Sequence, residues 1–413
     1  MPADGAPRYR TRRMNRARLH PQAPLAIALN ALFHVADALC SVFVGAFLYR
    51  LSHDFELIMW HYLILYGSAP FVFIAAGWYS QRFDRTHVFR AGLLLHAVYY
   101  ACFLVLQDRA PDYAIPLGLL LGIAAGIFWA GNNTFSFDVA SHGDRDYYFG
   151  WLTATTNAAR LAAPLLAPVI IGLAPGKLLG YLLLFGLALV VYLAAFALSF
   201  RVHADSESRP FHIRRALFPG PDQRDWRLIM LASITLAGSF SIFPFLLGLI
   251  MFMSTDSETL TGGYGAFQAL VSIVVSYLAG SYIVPRTRKR SMRIAVLALL
   301  AAGSLILWRF DLWILVLFGA LRSAAMPLFT IPHQSIRYEI IAKSVQYPWQ
   351  RIEYLCAWEA PLALGRVIML GALIALSSYL DAYGLRIALF LLCAMRVFTY
   401  LLVVRTSVVR EAQ

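Results

Sequence analysis

Twelve long apolar runs dominate this 413-residue chain, each about the length that carries a helix across a bilayer. They cover roughly 24–50, 57–80, 88–107, 114–137, 147–172 and 178–200, then 226–253, 262–284, 291–308, 311–334, 351–376 and 381–404. Hydrocarbon offers no water to an unpaired backbone group, so each run should be helical. A β-barrel would instead show alternating segments of about ten residues. Composition agrees: 60% of residues are hydrophobic and 14% charged, against about 45–50% and about 25% in soluble domains. A soluble enzyme, a disordered chain, a collagen and a disulfide scaffold are thereby excluded. The four cysteines (Cys40, Cys102, Cys356, Cys393) fall inside runs, without metal spacing, and read as packing residues.

Charge sets the expected orientation. Net charge is +13, but its placement argues against nucleic acid. Twenty-six Lys and Arg fall in the two tails and the loops on the side of the termini. Only Arg50, Arg109, Lys177 and Arg309 fall in loops on the other side. Cytoplasmic loops collect Lys and Arg, so both termini should be cytoplasmic. The first tail is basic, but no short apolar core with a cleavage site follows it, and Met14 offers a second start.

The chain divides into a basic tail (1–23), six runs (24–200), a polar central loop (201–225), six more runs (226–404) and a short tail (405–413). Arg145, Tyr148 and Arg160 recur as Arg351, Tyr354 and Arg366, at the same offsets. Gly77 ends run two before a basic loop, as Gly280 ends run eight. Halves repeated about an axis along the membrane normal are a known transporter plan.

The loop after run two reads Gly77, Gln81, Arg82, Asp84, Arg85 and Thr86. It resembles the signature loop of the major facilitator superfamily, and the likeness covers essentially the whole chain. That signature has Gly, three residues, Asp-Arg, one residue, Gly-Arg-Arg/Lys. Here Gln81 replaces the Asp, Asp84 the second Gly and Thr86 the last basic residue. The second-half copy keeps Gly280, Arg288 and Lys289, with Val284 at the Asp position. The missing Asp removes the family's latch to the neighbouring helix, with Asp84 as its possible substitute. Asp37-Ala38-Leu39, Gly77-Trp78 and the run from Leu95 to Tyr100 are similar to a bacterial branch, the YqgE-like proteins. The resemblance implies an all-α integral membrane protein with twelve helices in two pseudo-symmetric six-helix bundles. In run five, Pro164 is retained from a motif of family exporters, with Ala159, Ala163 and Ala167 at Gly positions and Pro168 at the last. Small residues and prolines also serve plain helix packing. No basic residue lies between Leu119 and Asn133, where the family often has an arginine.

Five arginines lie within runs: Arg160, Arg322, Arg366, Arg386 and Arg396. A charge at the bilayer centre costs at least about 2.5–3.5 kcal/mol, so each must snorkel, pair or face a wet cavity. Asn157 and Thr153 share a helical face with Arg160. Glu359 precedes Arg366 by two turns, about 10 Å along the axis, which favours flanking one ligand over a direct pair. Placed on the family's cavity helices, Arg160, Arg322 and Arg366 would face the cavity; the plainer reading is buried structural ion pairing. Arg386 and Arg396 read as snorkelling or packing residues. Asp37, with His34 and Asn30 on one face, is the only mid-run carboxylate of the first half. It is a candidate proton carrier, or a static partner of Arg160. Glu359 is its second-half counterpart. Asn132, Asn133, Asp138, His333 and Gln334 are candidates for a gate or for helix capping. Gln268 is a further cavity donor, and Trp129 and Trp358 are deep enough to stack on a ligand. His61 and His96 read as structural.

These charges leave a slightly positive centre, suited to an anionic or zwitterionic solute. The expected protein is a monomeric secondary transporter of the bacterial inner (plasma) membrane. It would work by alternating access, coupled to protons, with no cofactor beyond the proton gradient. Its partners would be a small solute and the bilayer. No GxxxxGK[ST] loop is present, so neither ATP drive nor an ATPase subunit is expected. A polyspecific drug/proton antiporter is the alternative, opposed by the three arginines. A transporter-shaped sensor, or an enzyme using His34 and Asp37, lacks a nucleophile or metal motif to support it.

Overall fold

The computed structural model describes residues 21–139, 145–203, 210–375 and 382–411. Most of the basic first tail and residues 204–209 of the central loop lie outside the described residues. So do the side chains of Asp138 and Arg145. Long helices fill the rest: α1 (Ala23–Ser52), α2 (Phe55–Arg82), α3 (Arg85–Leu106), α4 (Ala114–Val139), α5 (Arg145–Gly172) and α6 (Lys177–Ser199). In the second half, α7 (Arg224–Ala237) continues through a π turn (Gly238–Ile242) into α7′ (Phe243–Thr255). Then follow α8 (Glu258–Tyr282), α9 (Arg288–Trp308), α10 (Leu312–Ser344), α11 (Arg351–Ala375) and α12 (Ala382–Val403).

Among the described residues, ten stretches are long and apolar enough to cross a membrane, where twelve were expected. The difference has two sources. Arg85–Ser136 counts once but holds α3 and α4, joined by a short 3-10 turn. The π turn splits residues 224–255 into pieces each too short alone. A larger departure is at α10, which runs on to Ser344 rather than stopping near 334. Arg337, expected in a loop, is therefore helical.

Local signals repeat between the halves. α1 ends on His53 in the left-handed region (φ 51°), and α7′ ends on Asp256 in the same conformation (φ 47°). His and Asp are among the residues that tolerate this region best. Each is followed by a capping residue. Asp54 accepts from Leu57 N at the start of α2, and Ser257 from Leu260 N at the start of α8.

Packing repeats as well. α1 packs on α5 and α6, α4 on α2 and α3, and α3 on α6. In the second half α7 packs on α11 and α12, α10 on α8 and α9, and α9 on α12. The halves meet where α2 lies on α11, α5 on α8 and α1 on α7′. Close approach depends on glycine. Gly118, Gly122 and Gly126 form a stripe on α4 against α2; a Cβ on Gly122 would stand 2.6 Å from the Leu65 carbonyl oxygen. At the α5–α8 contact, a Cβ on Gly262 would meet the backbone of Pro164.

The side away from both termini is closed by charge. Arg50 at the end of α1 pairs with Asp256 at 2.8 Å and with Glu258 at 3.0 Å. Lys177 at the start of α6 reaches Glu258 at 2.7 Å. Below this seal, Tyr62 of α2 stacks on Phe245 of α7′ with ring centroids 3.7 Å apart.

Candidate functional site

A cavity of about 630 Å³ lies between the two halves, on the side of the termini. The first half supplies Asn30 and His34 from α1, Asn132 and Asn133 from α4, and Thr153, Asn157 and Arg160 from α5. The second supplies Gln334 and Arg337 from α10, and Trp358 and Glu359 from α11. Its size fits a small solute. Amides, hydroxyls, two cations, one carboxylate and the indoles of Trp129 and Trp358 share its wall.

The two cations are held differently. Arg160 is exposed to the cavity. Arg337 is 4% exposed and lies over Trp358, its guanidinium carbon 3.6 Å from the ring centroid. The Trp358 indole N–H donates to Ser233 Oγ at 2.7 Å, which fixes that platform. Arg337 Nε and Nη1 are buried without a hydrogen-bond partner, and Glu359 is near enough to act on its charge. Sequence reasoning missed this arginine because the basic loop was drawn one helical stretch too early. The signal was there: Arg337 follows Gln334 by three residues and His333 by four, on one helical face.

Asp37 lies one turn beyond His34. Among the described residues, Arg160 is the charged side chain that acts on it, without closing to an ion pair. Asp37 as a whole residue is half-buried. The phenols of Tyr62, Tyr66, Tyr100 and Tyr192 stand in its neighbourhood.

Other expected site residues lie elsewhere. Arg366 stands behind Glu359, and the separation expected between them closes: Nη1 meets Oε2 at 3.3 Å. Two extended side chains on one face span the two turns. Arg366 also donates to Ser241 Oγ in the π turn at 2.8 Å and lies over Tyr66 at 5.1 Å. Tyr66 in turn donates to the Ser241 carbonyl at 3.3 Å, so Arg366 sits at a joint of α2, α7 and α11. Arg322 is 7% exposed and outside the cavity wall, bonded to Gln268 at 3.4 Å. His61 and His96 bond backbone carbonyls at 2.7 and 2.8 Å.

The loop signature is also resolved. Gly77 lets α2 touch α11, where its Cβ would stand 2.7 Å from Cys356 Sγ. Gln81, at the Asp position, reaches across to the Trp349 carbonyl at 3.4 Å. Among the described residues, Asp84 is bound within its own helix: it caps α3, accepting from Thr86 N at 2.7 Å and Thr86 Oγ1 at 2.8 Å. Partial burial pushes its carboxyl up, but the Thr86 bonds, with His87 and Arg90 nearby, hold it below the usual range. Arg82 is exposed beside Trp78, and Arg85 is buried. In the second copy, Arg288 ties α9 to Glu339 of α10 at 2.9 Å, Gly280 faces open space, and Lys289 sits in the first turn of α9.

Comparison with known proteins accounts for this arrangement. The family model described as Major Facilitator Superfamily matches residues 24–336. A Bacillus subtilis (strain 168) relative, the uncharacterized protein YqgE, is 26% identical over 342 residues, 83% of this chain and 79% of its own length. The POT family transporter PepTSo superposes with a TM-score of 0.72 at 13% identity, covering 94% of this chain and 97% of that one. A bacterial homologue of the iron transporter ferroportin, in an inward-facing state, gives 0.70 at 13% identity, covering 93% and 98%. At such identities the solved structures speak for the fold alone. With the family model matching residues 24–336, most of the chain, the chain belongs to the Major Facilitator Superfamily.

Proposed function

We propose that this protein is a proton-coupled secondary transporter of a small anionic or zwitterionic solute, acting in the plasma membrane by alternating access. One observation carries the reading: Arg160 from the first half and Arg337 from the second face the same cavity, with Glu359 on its wall. A solute carboxylate or phosphate bridging the two arginines would pull the halves together. Glu359 would hold an ammonium on the same solute. Binding energy is then spent on closing the terminal side, which is what alternation needs. The closed seal at Arg50, Asp256 and Glu258 supports reading this state as the one open toward the termini, which is inward-facing if the termini are cytoplasmic. Asp37, unpaired and one turn beyond the cavity, is the proton carrier in this scheme, and Arg160 biases its charge.

The test uses purified protein in liposomes with an internal pH dye, screened with pooled organic acids, peptides and cationic drugs. The expected result is a pH change with the acid or peptide pool that disappears in Arg160→Ala and in Arg337→Ala. A response confined to cationic drugs, or one that survives both substitutions, would overturn the assignment.

A further inference from the structure

One face of α10 carries Arg322, Met326, Phe329, His333 and Arg337, at spacings of three and four residues. This stripe is buried: Arg322 is 7% exposed, Phe329 0% and His333 2%. Arg396 of α12, 0% exposed, reaches onto it. Its Nη2 lies 3.5 Å from Met326 Sδ, and its guanidinium sits over the Phe329 ring at 4.8 Å. His333 stacks on the same ring, centroids 6.1 Å apart. Arg322 rests over Phe243 of α7′ at 4.9 Å.

Neither arginine is compensated. Among the described residues, the contacts of Arg322 are the Gln268 side-chain oxygen at 3.4 Å and the Phe243 ring, those of Arg396 are Met326 Sδ and the Phe329 ring, and the Cys393 thiol stands near both. No carboxylate is among them. Arg322 Nε, Arg396 Nε and Nη1, and His333 Nε2 are buried without a hydrogen-bond partner. Arginine keeps its proton in proteins, so the charge stays. Two like charges buried in one bundle with idle donors are a costly arrangement unless a counterion is present. Neither residue lines the cavity between the halves, so a solute there cannot serve.

We propose that Arg322 and Arg396 hold a small inorganic anion of chloride's size and charge inside the second bundle, between α7′, α10 and α12. The neighbours favour a compact, polarisable ion over an oxyanion. They offer a few N–H donors from two sides, with thioether, thiol and phenyl surfaces between them. The site is independent of any transported solute. It would hold α12 on α10, where two unscreened arginines would otherwise push the helices apart.

The test is thermal unfolding of the purified full-length protein in chloride, bromide or gluconate at constant ionic strength. Gluconate is too large to enter. The midpoint should rise saturably with chloride or bromide above its gluconate value. Arg322→Met and Arg396→Met should each abolish that rise while unfolding in gluconate at or above the wild-type midpoint, since each removes a buried like charge. Wild-type crystals grown in bromide supply a second measurement that needs no variant. An anomalous peak should lie between the two guanidiniums. Equal midpoints in all three salts, a rise that survives both substitutions, or bromide absent from this place would each overturn the proposal.

Discussion

The Arg337 guanidinium lies 3.6 Å above the Trp358 ring, and the indole is held in turn by Ser233 of α7. Three helices of the second half thus converge to present one cation to the cavity. A cation over an indole is attracted by about 0.5–2 kcal/mol, more when desolvated. Arg337→Ala should lower solute transport at least tenfold at unchanged expression. Trp358→Phe keeps a ring but loses the Ser233 bond, so it should lower apparent affinity several-fold while sparing maximal rate. Concentration-dependent uptake measures both. Equal rates in wild type and Arg337→Ala would remove Arg337 from the site.

Glu258 accepts both Arg50 and Lys177, and its side chain is only 5% exposed. Replacing it by Gln leaves Lys177 without its carboxylate and Arg50 with Asp256 alone, a loss of about 1 kcal/mol for pairs whose cations are open to solvent. The loss falls only on the state in which this side is closed. Glu258→Gln should therefore shift the population toward the state open away from the termini. Labelling of a single cysteine at Ser41, an exposed residue of α1 on the face that carries His34 and Asp37, with a membrane-impermeant maleimide reads the shift. Faster labelling from the side away from the termini is expected, and an unchanged rate would show that the charges do not form the seal.

Gly122 is a packing requirement. A Cβ there would stand 2.6 Å from the Leu65 carbonyl and closer still to Ser68 Oγ. Gly122→Ala should lower the unfolding midpoint by several degrees. Adding Ser68→Ala should not restore it, because the Leu65 backbone remains in the way. Rescue by the double variant would mean that only the side chain opposes the methyl group.

Asp84 contributes as a cap. Its loss in Asp84→Ala should cost about 1 kcal/mol of stability at neutral pH. Its carboxyl lies below the usual range in the folded protein, so the stabilisation is present above the unfolded-state value. It fades as pH falls through the folded-state value. Unfolding midpoints of wild type and variant should converge on acidification, and a constant gap would assign the effect to something other than the charge.

The plan of the molecule was legible because lipid leaves so few choices. The apolar runs gave the helices, and the recurrences at Gly77 and Gly280 gave the two halves. His34, Asn133, Asn157, Arg160, Trp358 and Glu359, singled out as polar or aromatic residues on helices that the family resemblance implies for the cavity, all line it. Two kinds of fact were not legible. Helix length hid Arg337, because basic residues that mark a loop on a hydropathy scan also fit a helix rising out of the bilayer. Side-chain reach hid the fate of Arg366. Its repeat partner Arg160 is free in the cavity, while Arg366 bends to Glu359 and to the π turn at Ser241, a local distortion without a period to reveal it.

In the proposed mechanism, solute binding between the arginines is tied to the proton on Asp37. Its most direct measurement compares wild type with Asp37→Asn in liposomes, by uptake driven by a pH gradient and by exchange of labelled for unlabelled solute at equal pH. Asp37→Asn should lose gradient-driven accumulation yet keep exchange within a few-fold of wild type, because the carrier is neutral while the cavity is intact. Accumulation in Asp37→Asn with the wild-type pH dependence would contradict it.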